Sequence, residues 1–448
     1  MKDNRLHESL YLFVYTILLL SVLSLLPSFS LGTLVLKDFD LLSDIRFTKP
    51  EPPPVADTIT PKPELEVTRR NANCPPGIVC LEDFSADGKG LEPFFRHLEE
   101  RKSKPVRIAF YGDSFIEGDI LTSGFRDTLQ QIYGGKGLGF VPLYSEVAKF
   151  RTTIKHEFEN LVQKSIIGKY STEPTFGAGG MVVRAEEENW ITYKPGKNLK
   201  KLEKASLLYS SAGPSKANVT LNDTTAFEIS IEKQIELSRL TIAPGGAESI
   251  RIQFTAADSV NLYGMVFESE NGIYVDNLAM RGNSGLALTR ISTSMLSASK
   301  KIRPYHLIVL QFGLNVVAEQ DSTDYTWYVA GMRRVIEHFK NVFPESSILL
   351  LGISDRSYNQ DGEFTTLPGV LRMRAAQRKI AQKTGVLFWD TFEAMGGENS
   401  MVKLAAMQPP LAGKDHTHLN ARGGQMLAGK LAKALLFEIS QYERSAAH

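Results

Sequence analysis

Two patterns of hydrophobic and polar positions divide the chain. Four short apolar runs have the length and β-branched content of buried strands, at residues 106–111, 306–312, 347–352 and 386–389. Apolar positions at helical spacing predict helices at residues 91–101, 326–343, 370–384 and 421–442. Strands that alternate with helices predict parallel βαβ units in a three-layer α/β/α sandwich. In such folds the chemistry lies at the carboxyl ends of the strands.

The stretch from residue 149 to 274 has a different pattern. Apolar and polar residues alternate there in short runs separated by turn signals, at residues 216–221, 226–231, 249–254 and 260–267. Alternation of this kind predicts antiparallel strands with one buried face. The sequence therefore predicts a jelly-roll-like β-sandwich inserted into the α/β domain, whose two parts are residues 74–148 and 275–448.

The N-terminal segment, residues 1–36, is strongly apolar. Residues 10–26 carry no charged side chain and are close to the length that a helix needs to cross a bilayer. We predict a signal anchor, which is a transmembrane helix that the mature protein retains. The alternative is a cleaved signal peptide, because Ser28-Phe29-Ser30 has the small-x-small form of a cleavage site. Either kind of segment exports the rest of the chain from the cytoplasm. If the helix is retained, we expect the protein to be anchored in the inner membrane with its catalytic domain in the periplasm; if the segment is cleaved, we expect it to be secreted.

Residues 37–73 are predicted to form a linker. Six prolines lie between residues 49 and 66, where large apolar residues are few, so this part is expected to be an extended spacer. Cys74 and Cys80 follow the linker and are the only two cysteines of the chain. So short a loop predicts a local disulfide formed in an oxidising compartment, with a pair of free thiols as the alternative.

The charge balance narrows the range of partners. The chain has 51 basic and 50 acidic side chains and a formal net charge of +1. Nothing in this balance favours a polyanionic partner such as nucleic acid. Candidate chemistry therefore has to be sought in local motifs.

The first such motif follows the strand predicted at residues 106–111. Gly112-Asp113-Ser114 stands where this strand ends and a helix begins, which places Ser114 at the carboxyl edge of the sheet. A serine hydroxyl is a weak nucleophile and needs a base to activate it. On its own the tripeptide is more often an ordinary turn.

A candidate base lies near the C-terminus. Asp415 precedes His418 by three residues, just before the helix predicted at residues 421–442. That spacing lets the carboxylate hold the imidazole in one tautomer while the other ring nitrogen takes the serine proton. His416 leaves a metal site open as an alternative, although no further ligand occurs at metal-ligand spacing. We expect neither a metal nor an organic cofactor.

Two further blocks lie between these motifs. Residues 276–285 contain Gly282 and Gly285, which permit a tight loop whose amide groups face a ligand, or form a plain turn. Asn315 follows the apolar strand predicted at residues 306–312. Its side-chain amide suits a developing oxyanion, or caps the next element.

Taken together and in this order, the four blocks resemble those of the SGNH/GDSL hydrolase family, which is named after its Ser, Gly, Asn and His residues. The resemblance implies a flavodoxin-like α/β/α domain in which Ser114 is the nucleophile, His418 the general base and Asp415 the residue that orients the base. The oxyanion hole that the resemblance implies is formed by Ser114, Gly282 and Asn315.

A finer resemblance is to bacterial peptidoglycan O-acetylesterases, in which a carbohydrate-binding-like β-sandwich interrupts the hydrolase domain. The residues that carry it are Glu117-Gly118-Asp119 after the serine, the glycine-rich loop at residues 134–140, and Trp389-Asp390 with the glycines that follow. The position after Ser114 is Phe115, where that sub-group has His, so the resemblance does not fix the substrate.

The resemblance implies a serine esterase that removes O-acetyl groups from a cell-envelope glycan, peptidoglycan or another polysaccharide, through an acyl-serine intermediate. An O-acetyltransferase acting on the same glycans uses the same residues and stays open, as does a non-catalytic glycan-binding anchor protein. The sandwich offers Trp190, Tyr193 and Tyr209 as candidate glycan contacts, with core positions as the alternative. The predicted partners are thus an acylated glycan and, through the N-terminal helix, the membrane.

Overall fold

The structure of the protein is a computed structural model. It describes residues 74–446 except 198, 257–259 and 320–322, together with residues 11, 14–16, 30, 31, 34 and 35. The strands in the described residues are, in chain order, β1 (Ser30–Leu31), β2 (Leu34–Val35), β3 (Glu82–Asp83), β4 (Pro105–Gly112), β5 (Gly139–Val141), β6 (Ile154–Glu159), β7 (Gln163–Ser165), β8 (Met181–Arg184), β9 (Trp190–Pro195), β10 (Ala205–Ser211), β11 (Ser215–Leu221), β12 (Thr225–Ile231), β13 (Gln234–Ala243), β14 (Ile250–Ala256), β15 (Val260–Phe267), β16 (Gly272–Ala279), β17 (Leu307–Gln311), β18 (Ser347–Leu351), β19 (Ser357–Gln360), β20 (Glu363–Thr366) and β21 (Leu387–Trp389). The α-helices within residues 74–446 are α1 (Glu92–Glu99), α2 (Thr122–Tyr133), α3 (Thr293–Ile302), α4 (Thr326–Val342), α5 (Gly369–Thr384), α6 (Thr391–Met395), α7 (Ser400–Ala406) and α8 (Ala421–Ala446).

The chain divides into two compact units, Met1–Pro63 and Glu64–His448. In the first unit, β1 pairs with β2 in an antiparallel ladder. The predicted membrane helix at residues 10–26 lies mostly outside the described residues, and the predicted linker lies wholly outside them. Among the helices that the structure does describe, none combines the length and the apolar character that crossing a bilayer requires.

A six-stranded sheet organises the α/β part of the second unit. Its strand order is β16, β4, β17, β18, β21, β3, and every neighbouring pair is parallel except β21 with β3 at one edge. Helices α1, α2 and α6 each contact α8, whereas α3, α4 and α5 contact one another in series. These two groups correspond to the two faces on which right-handed crossovers place their helices.

The apolar runs of the sequence become the central strands of this sheet. The strands predicted at residues 306–312 and 347–352 agree with β17 and β18 to within one residue at each end. Both strands are buried along their whole length, since helices cover the two faces of a parallel sheet. The helix predicted at residues 421–442 runs on to the end of α8, at Ala446.

A β-sandwich interrupts the α/β part. One of its sheets has the order β13, β10, β15, β8, β7, with β5 pairing on β15, and the other has the order β12, β11, β14, β9, β6. The apolar side chains between these two sheets form a core of their own. The bounds differ at both ends from the predicted insertion at residues 149–274, because β5 precedes residue 149 and β16 belongs to the parallel sheet through its pairing with β4.

Buried ion pairs join the sandwich to the parallel sheet. Glu268, which follows β15, accepts hydrogen bonds from Arg107 Nη2 at 2.8 Å and from Arg303 Nη2 at 3.0 Å. Arg303 also pairs with Asp276 on β16. Removing one member of such a buried cluster leaves the others uncompensated, so the cluster fixes how the two parts pack.

Candidate active site

The candidate site lies at the carboxyl ends of three adjacent parallel strands. Gly112, the last residue of β4, is opposite Ala279 on β16 and Gln311 on β17. The three strands therefore end at the same level. The loops that follow them carry three of the candidate residues singled out from the sequence, which are Ser114, Gly282 and Asn315.

Ser114 and His418 are 304 residues apart in the sequence, but their side chains are hydrogen-bonded. The serine Oγ lies 2.9 Å from His418 Nε2, and His418 Nδ1 lies 2.7 Å from Asp415 Oδ2. Ser114 is buried, while His418 and Asp415 stand on the more exposed loop before α8. The structure thus brings a hydroxyl, an imidazole and a carboxylate into one hydrogen-bonded line, which is the arrangement that activates a serine for nucleophilic attack.

Asp415 is oriented by more than the imidazole. Its Oδ1 accepts hydrogen bonds from the backbone amides of Thr417 at 3.1 Å and His418 at 3.2 Å. Partial burial acts to raise the pKa of Asp415, but the hydrogen bonds from His418 and from these amides outweigh it and lower that pKa below its ordinary value. The carboxylate is therefore ionised at neutral pH and keeps a fixed face toward the ring.

Asp113 ties two of the loops together. The carboxyl group is fully buried, and its Oδ1 accepts the Phe115 amide at 2.9 Å while its Oδ2 accepts Asn315 Nδ2 at 3.1 Å. Burial raises the pKa of Asp113 to about 7, against the lowering effect of these hydrogen bonds. The residue next to the serine is thus a buried acid that titrates near neutral pH.

This shift predicts a pH dependence of stability. Between about pH 4, where an ordinary Asp loses its proton, and about pH 7, the folded chain holds the Asp113 proton more tightly than the unfolded chain does. Asp113 therefore makes the free energy of unfolding fall as the pH rises through this window. Asp113→Asn is expected to flatten that decline in urea denaturation measured across the window. Asp361→Asn, which changes an exposed carboxylate, is the matched control, and equal pH profiles for the two variants would contradict the shift.

Asn315 is already engaged in the free protein. Its Nδ2 donates to Asp113 Oδ2 and, at 3.2 Å, to the backbone oxygen of Asn283. An amide nitrogen carries two protons, so a contact with an oxyanion would have to share or replace one of these bonds. The structure places Asn315 at the site and leaves its predicted oxyanion role a prediction.

The two candidate glycines have different surroundings. Gly282 is exposed, has a φ of +74°, and a Cβ added there would meet no atom within 4 Å. At Gly285 a Cβ would lie 2.8 Å from the ring of Phe312. Gly285 is therefore needed for close packing in the core, whereas Gly282 is the one on the open side of the loop, consistent with its predicted place in the oxyanion hole.

Asp119 anchors the loop that follows the serine. Its Oδ2 accepts hydrogen bonds from Arg126 Nη2 at 3.1 Å, from Arg151 Nη2 at 2.8 Å and from Thr153 Oγ1 at 2.6 Å. Burial opposes ionisation, but the two guanidinium groups hold the pKa of Asp119 well below its usual range. Arg151 follows β5 and Thr153 immediately precedes β6, so the inserted part of the chain helps to position the nucleophile loop.

A second charged pair lies on the loops beside the serine. Glu117 Oε2 lies 2.7 Å from Arg281 Nη2, which joins the loop after β4 to the loop after β16. The sequence pattern indicates Glu117 only as part of Glu117-Gly118-Asp119, and Arg281 only as a member of the 276–285 block. No local signal connects two residues this far apart in the sequence.

His416, the alternative metal ligand, packs against an aromatic ring instead. Its imidazole and the ring of Phe364 on β20 have centroids 4.0 Å apart at an interplanar angle of 33°. Within the described residues, no three His, Cys, Asp or Glu side chains are grouped so as to hold one metal ion.

The three candidate glycan contacts differ in their exposure to solvent. Tyr193 and Tyr209 lie in the sandwich core, with 0% and 4% of their surface exposed, so the prediction that they contact a glycan is wrong. Trp190 is half-buried, but the Arg251 guanidinium stacks on its ring at 3.9 Å and its Nε1 donates to Glu159. One face of that ring is therefore already covered.

The predicted disulfide is confirmed. Cys74 and Cys80 are bonded, and the loop that they close packs on the sheet through a hydrogen bond from Trp389 Nε1 to the Val79 oxygen at 2.8 Å.

The fold of this chain is similar to that of a solved structure. It is similar to a peptidoglycan O-acetylesterase described as "in action, 5 min", with 20% sequence identity over 81% of this chain and 99% of that chain and a TM-score of 0.65. The two chains share one fold. This chain thus has counterparts for nearly the whole length of that esterase, including both the α/β part and the sandwich.

More distant matches add nothing to the assignment of the fold. A family two carbohydrate esterase from Clostridium thermocellum, in complex with cellohexaose, is 11% identical over 63% of this chain and 99% of that chain, with a TM-score of 0.29. An acetyl xylan esterase, AlAXEase, is 19% identical over 36% of this chain and 81% of that chain, with a TM-score of 0.28. No family model and no curated protein matches the chain.

Proposed function

We propose that the protein is a serine esterase that removes O-acetyl groups from a cell-envelope glycan. The observation that carries the proposal is the line of hydrogen bonds from Ser114 Oγ through His418 to Asp415, at 2.9 and 2.7 Å, where the central strands of the sheet end. The fold shared with a peptidoglycan O-acetylesterase supports the choice of substrate class.

The proposed reaction has two halves. His418 Nε2 takes the proton of Ser114 Oγ as that oxygen attacks the ester carbonyl carbon, and a tetrahedral intermediate forms. The bond to the sugar oxygen then breaks, the sugar oxygen takes the proton from His418, and the acetyl group stays on Ser114. A water molecule, deprotonated by His418, attacks the acetyl-serine and releases acetate, and the proton returns to Ser114 Oγ.

The charge that develops on the carbonyl oxygen needs hydrogen-bond donors. We assign this role to the backbone amides of Ser114 and Gly282 and to Asn315 Nδ2. Donors fixed in place before the reaction stabilise the intermediate without the cost of reorienting a solvent. Asp113 acts through Asn315, since its carboxyl group holds the amide nitrogen in position.

The proposal is tested with a serine-directed phosphonate. We expect the purified protein to release acetate from O-acetylated peptidoglycan, and the phosphonate to block that release by forming one covalent adduct on Ser114, mapped by peptide mass spectrometry. Either a failure to release acetate from any acetylated glycan or an adduct on another residue would contradict the proposal.

We also propose that the enzyme works in the cell envelope, anchored through its N-terminal segment. The uncharged run at residues 10–26 and the Cys74–Cys80 disulfide support this location, because structural disulfides persist outside the reducing cytoplasm. The phosphonate-labelled protein is expected with the membranes after cell fractionation if the segment is retained. Its recovery in the cytoplasmic fraction would contradict the location.

A further inference from the structure

The segment that follows β18, residues 353–357, contacts the loop that carries Asn315. The half-buried Arg356 donates a hydrogen bond from Nη1 to the backbone oxygen of Leu314 at 3.1 Å. Leu314 immediately precedes Asn315, whose side chain we assign to the oxyanion hole. A side chain that follows the neighbouring strand therefore holds the backbone of this loop. We refer to residues 353–357 as the bracing segment.

The bracing segment is itself held at two buried points. The side-chain amide of Gln377 accepts a hydrogen bond from the Ile353 amide at 2.6 Å and donates one to the Phe312 oxygen at 2.7 Å, which links the segment to the residue after β17. The carboxyl group of Asp355 accepts the Met401 amide at 2.8 Å. Gln377 and Asp355 are both fully buried, and a buried polar network whose members are hydrogen-bonded is rigid. The arginine of the segment therefore extends from a fixed backbone.

The bracing segment also contacts the loop of the candidate base. The backbone amide of Ser357 donates to the backbone oxygen of His416 at 2.9 Å, and His416 comes two residues before His418. The segment thus links the loop of Asn315 to the loop that carries the imidazole. Because the contact with His416 comes from the backbone, we expect it to survive a replacement of the Arg356 side chain.

The guanidinium of Arg356 has a single polar partner. Within the described residues its one hydrogen bond is the bond to the Leu314 oxygen, and it forms no ion pair there. The donor is charged and the acceptor is neutral, and such a bond is stronger than one between two neutral groups. Removing the guanidinium therefore deletes one strong interaction, and its effect on the reaction can be traced to the Leu314 oxygen.

The bond to Leu314 restrains Asn315 from the backbone side. The Leu314 carbonyl and the Asn315 nitrogen belong to one planar peptide group, so a donor that holds the oxygen also restricts the position of the Asn315 Cα atom. At its other end, Asn315 Nδ2 donates to Asp113 Oδ2 and to the Asn283 oxygen. An oxyanion would share or replace one of these two bonds. The backbone contact from Arg356 is the restraint that an oxyanion does not compete for.

We propose that Arg356 is a positioning residue for the oxyanion hole. By holding the Leu314 oxygen, its guanidinium keeps Asn315 Nδ2 where negative charge develops on the carbonyl oxygen of the ester. A donor that is fixed in place stabilises this charge without reorganisation, whereas a displaced donor loses much of its effect. The inference rests on the proposed esterase function and adds to it a residue outside the four sequence blocks.

Arg356→Ala is expected to lower kcat for hydrolysis of a soluble acetyl ester about tenfold or more, with KM within about twofold of that of the unaltered protein. The two constants respond differently because Asn315 acts on the intermediate and not on the bound ester. Arg334→Ala is the matched control. Arg334 is an exposed arginine on α4, and its replacement is expected to change neither constant.

A double-mutant cycle separates positioning from a general structural role. Asn315→Ala alone is expected to lower kcat about a hundredfold, the usual cost of losing one oxyanion-hole donor. If Arg356 acts through Asn315, its removal has nothing further to displace, so the double variant is expected to keep kcat within about twofold of that of Asn315→Ala. An arginine that only supported the fold would lower kcat by the same factor in both backgrounds.

Guanidinium ion gives a second measurement. At a concentration well below that which denatures the protein, guanidinium chloride is expected to raise kcat of Arg356→Ala at least about threefold, because the free ion can donate to the same oxygen. Sodium chloride at the same concentration controls for ionic strength. If Arg356→Ala does not fold, as judged by urea denaturation, Arg356→Met replaces it in the cycle, since methionine keeps an apolar stem and lacks the donors.

An unchanged kcat in Arg356→Ala, the same factor in both backgrounds of the cycle, or no gain with guanidinium beyond that with sodium chloride would each overturn the inference. If the unaltered protein hydrolyses no acetyl ester, the proposed function fails and the inference fails with it. An active unaltered protein together with any of the first three outcomes ends the inference alone and leaves the proposed function standing.

Discussion

Ser114→Ala is expected to lower kcat for acetate release by about a thousandfold or more, because the acyl-enzyme can no longer form and only binding and oxyanion stabilisation remain. The variant is expected to fold normally, since the loss of one hydroxyl leaves the loop fixed by Asp113 and Asp119. Acetate release from O-acetylated peptidoglycan and the free energy of unfolding measure the two expectations.

Ser103→Ala is the matched control for this variant. Ser103 is exposed four residues after the end of α1, and its hydroxyl donates to the Glu100 oxygen. Its removal is expected to leave acetate release unchanged. If Ser114→Ala kept the activity of the unaltered protein, another nucleophile or a directly activated water molecule would have to carry the reaction.

Asp415→Asn is expected to reduce kcat by about a hundredfold to ten-thousandfold with little change in KM. An asparagine amide can donate to His418 Nδ1, which favours the tautomer that carries its proton on Nε2 and so cannot accept the serine proton. The variant also loses the negative charge that stabilises the imidazolium formed during the reaction. Steady-state kinetics on a soluble acetyl ester give both constants.

Lys414→Gln tests whether the loop itself is sensitive to change. Lys414 is the exposed neighbour of Asp415, and its replacement is expected to leave kcat within about twofold of that of the unaltered protein, as surface substitutions away from special features usually do. Equal losses in the two variants would show that Asp415 matters to the structure of the loop rather than to the imidazole.

The sequence predicts where the candidate site lies in the fold better than it predicts the hydrogen bonds within the site. Ser114 and Asn315 stand after continuous apolar runs, and in a parallel sheet such runs end at one common edge. The sequence alone therefore predicts that Ser114 and Asn315 lie close together, whatever the rest of the fold. The partners of Asn315 in the free protein depend on loop geometry, which no local pattern reports.

The sandwich is harder to predict in detail because its strands are short and alternate. In such a strand a shift of one position exchanges the buried and the exposed face. Trp190 and Tyr193 belong to the same strand, β9, yet the first reaches the surface and the second is fully buried. Aromatic residues alone cannot show which face meets the solvent.

Contacts between the two parts of the chain are also absent from any local pattern. Arg151 is 32 residues from Asp119, and Arg281 lies beyond the whole insertion from Glu117. These charges are ordinary surface residues as far as the sequence alone can tell. Only the folded chain shows that they meet beside the serine.

The sandwich cannot be removed without changing the contacts of Asp119, because Arg151 and Thr153 belong to the inserted part of the chain. Excising it from the gene would remove Arg151 and Thr153 and leave the Asp119 carboxylate with the hydrogen bonds from Arg126 and Thr122. A trimmed hydrolase would therefore hold its nucleophile loop by fewer hydrogen bonds. We expect an insertion exchanged between related enzymes to keep this loop in place when it brings an arginine to the same carboxylate.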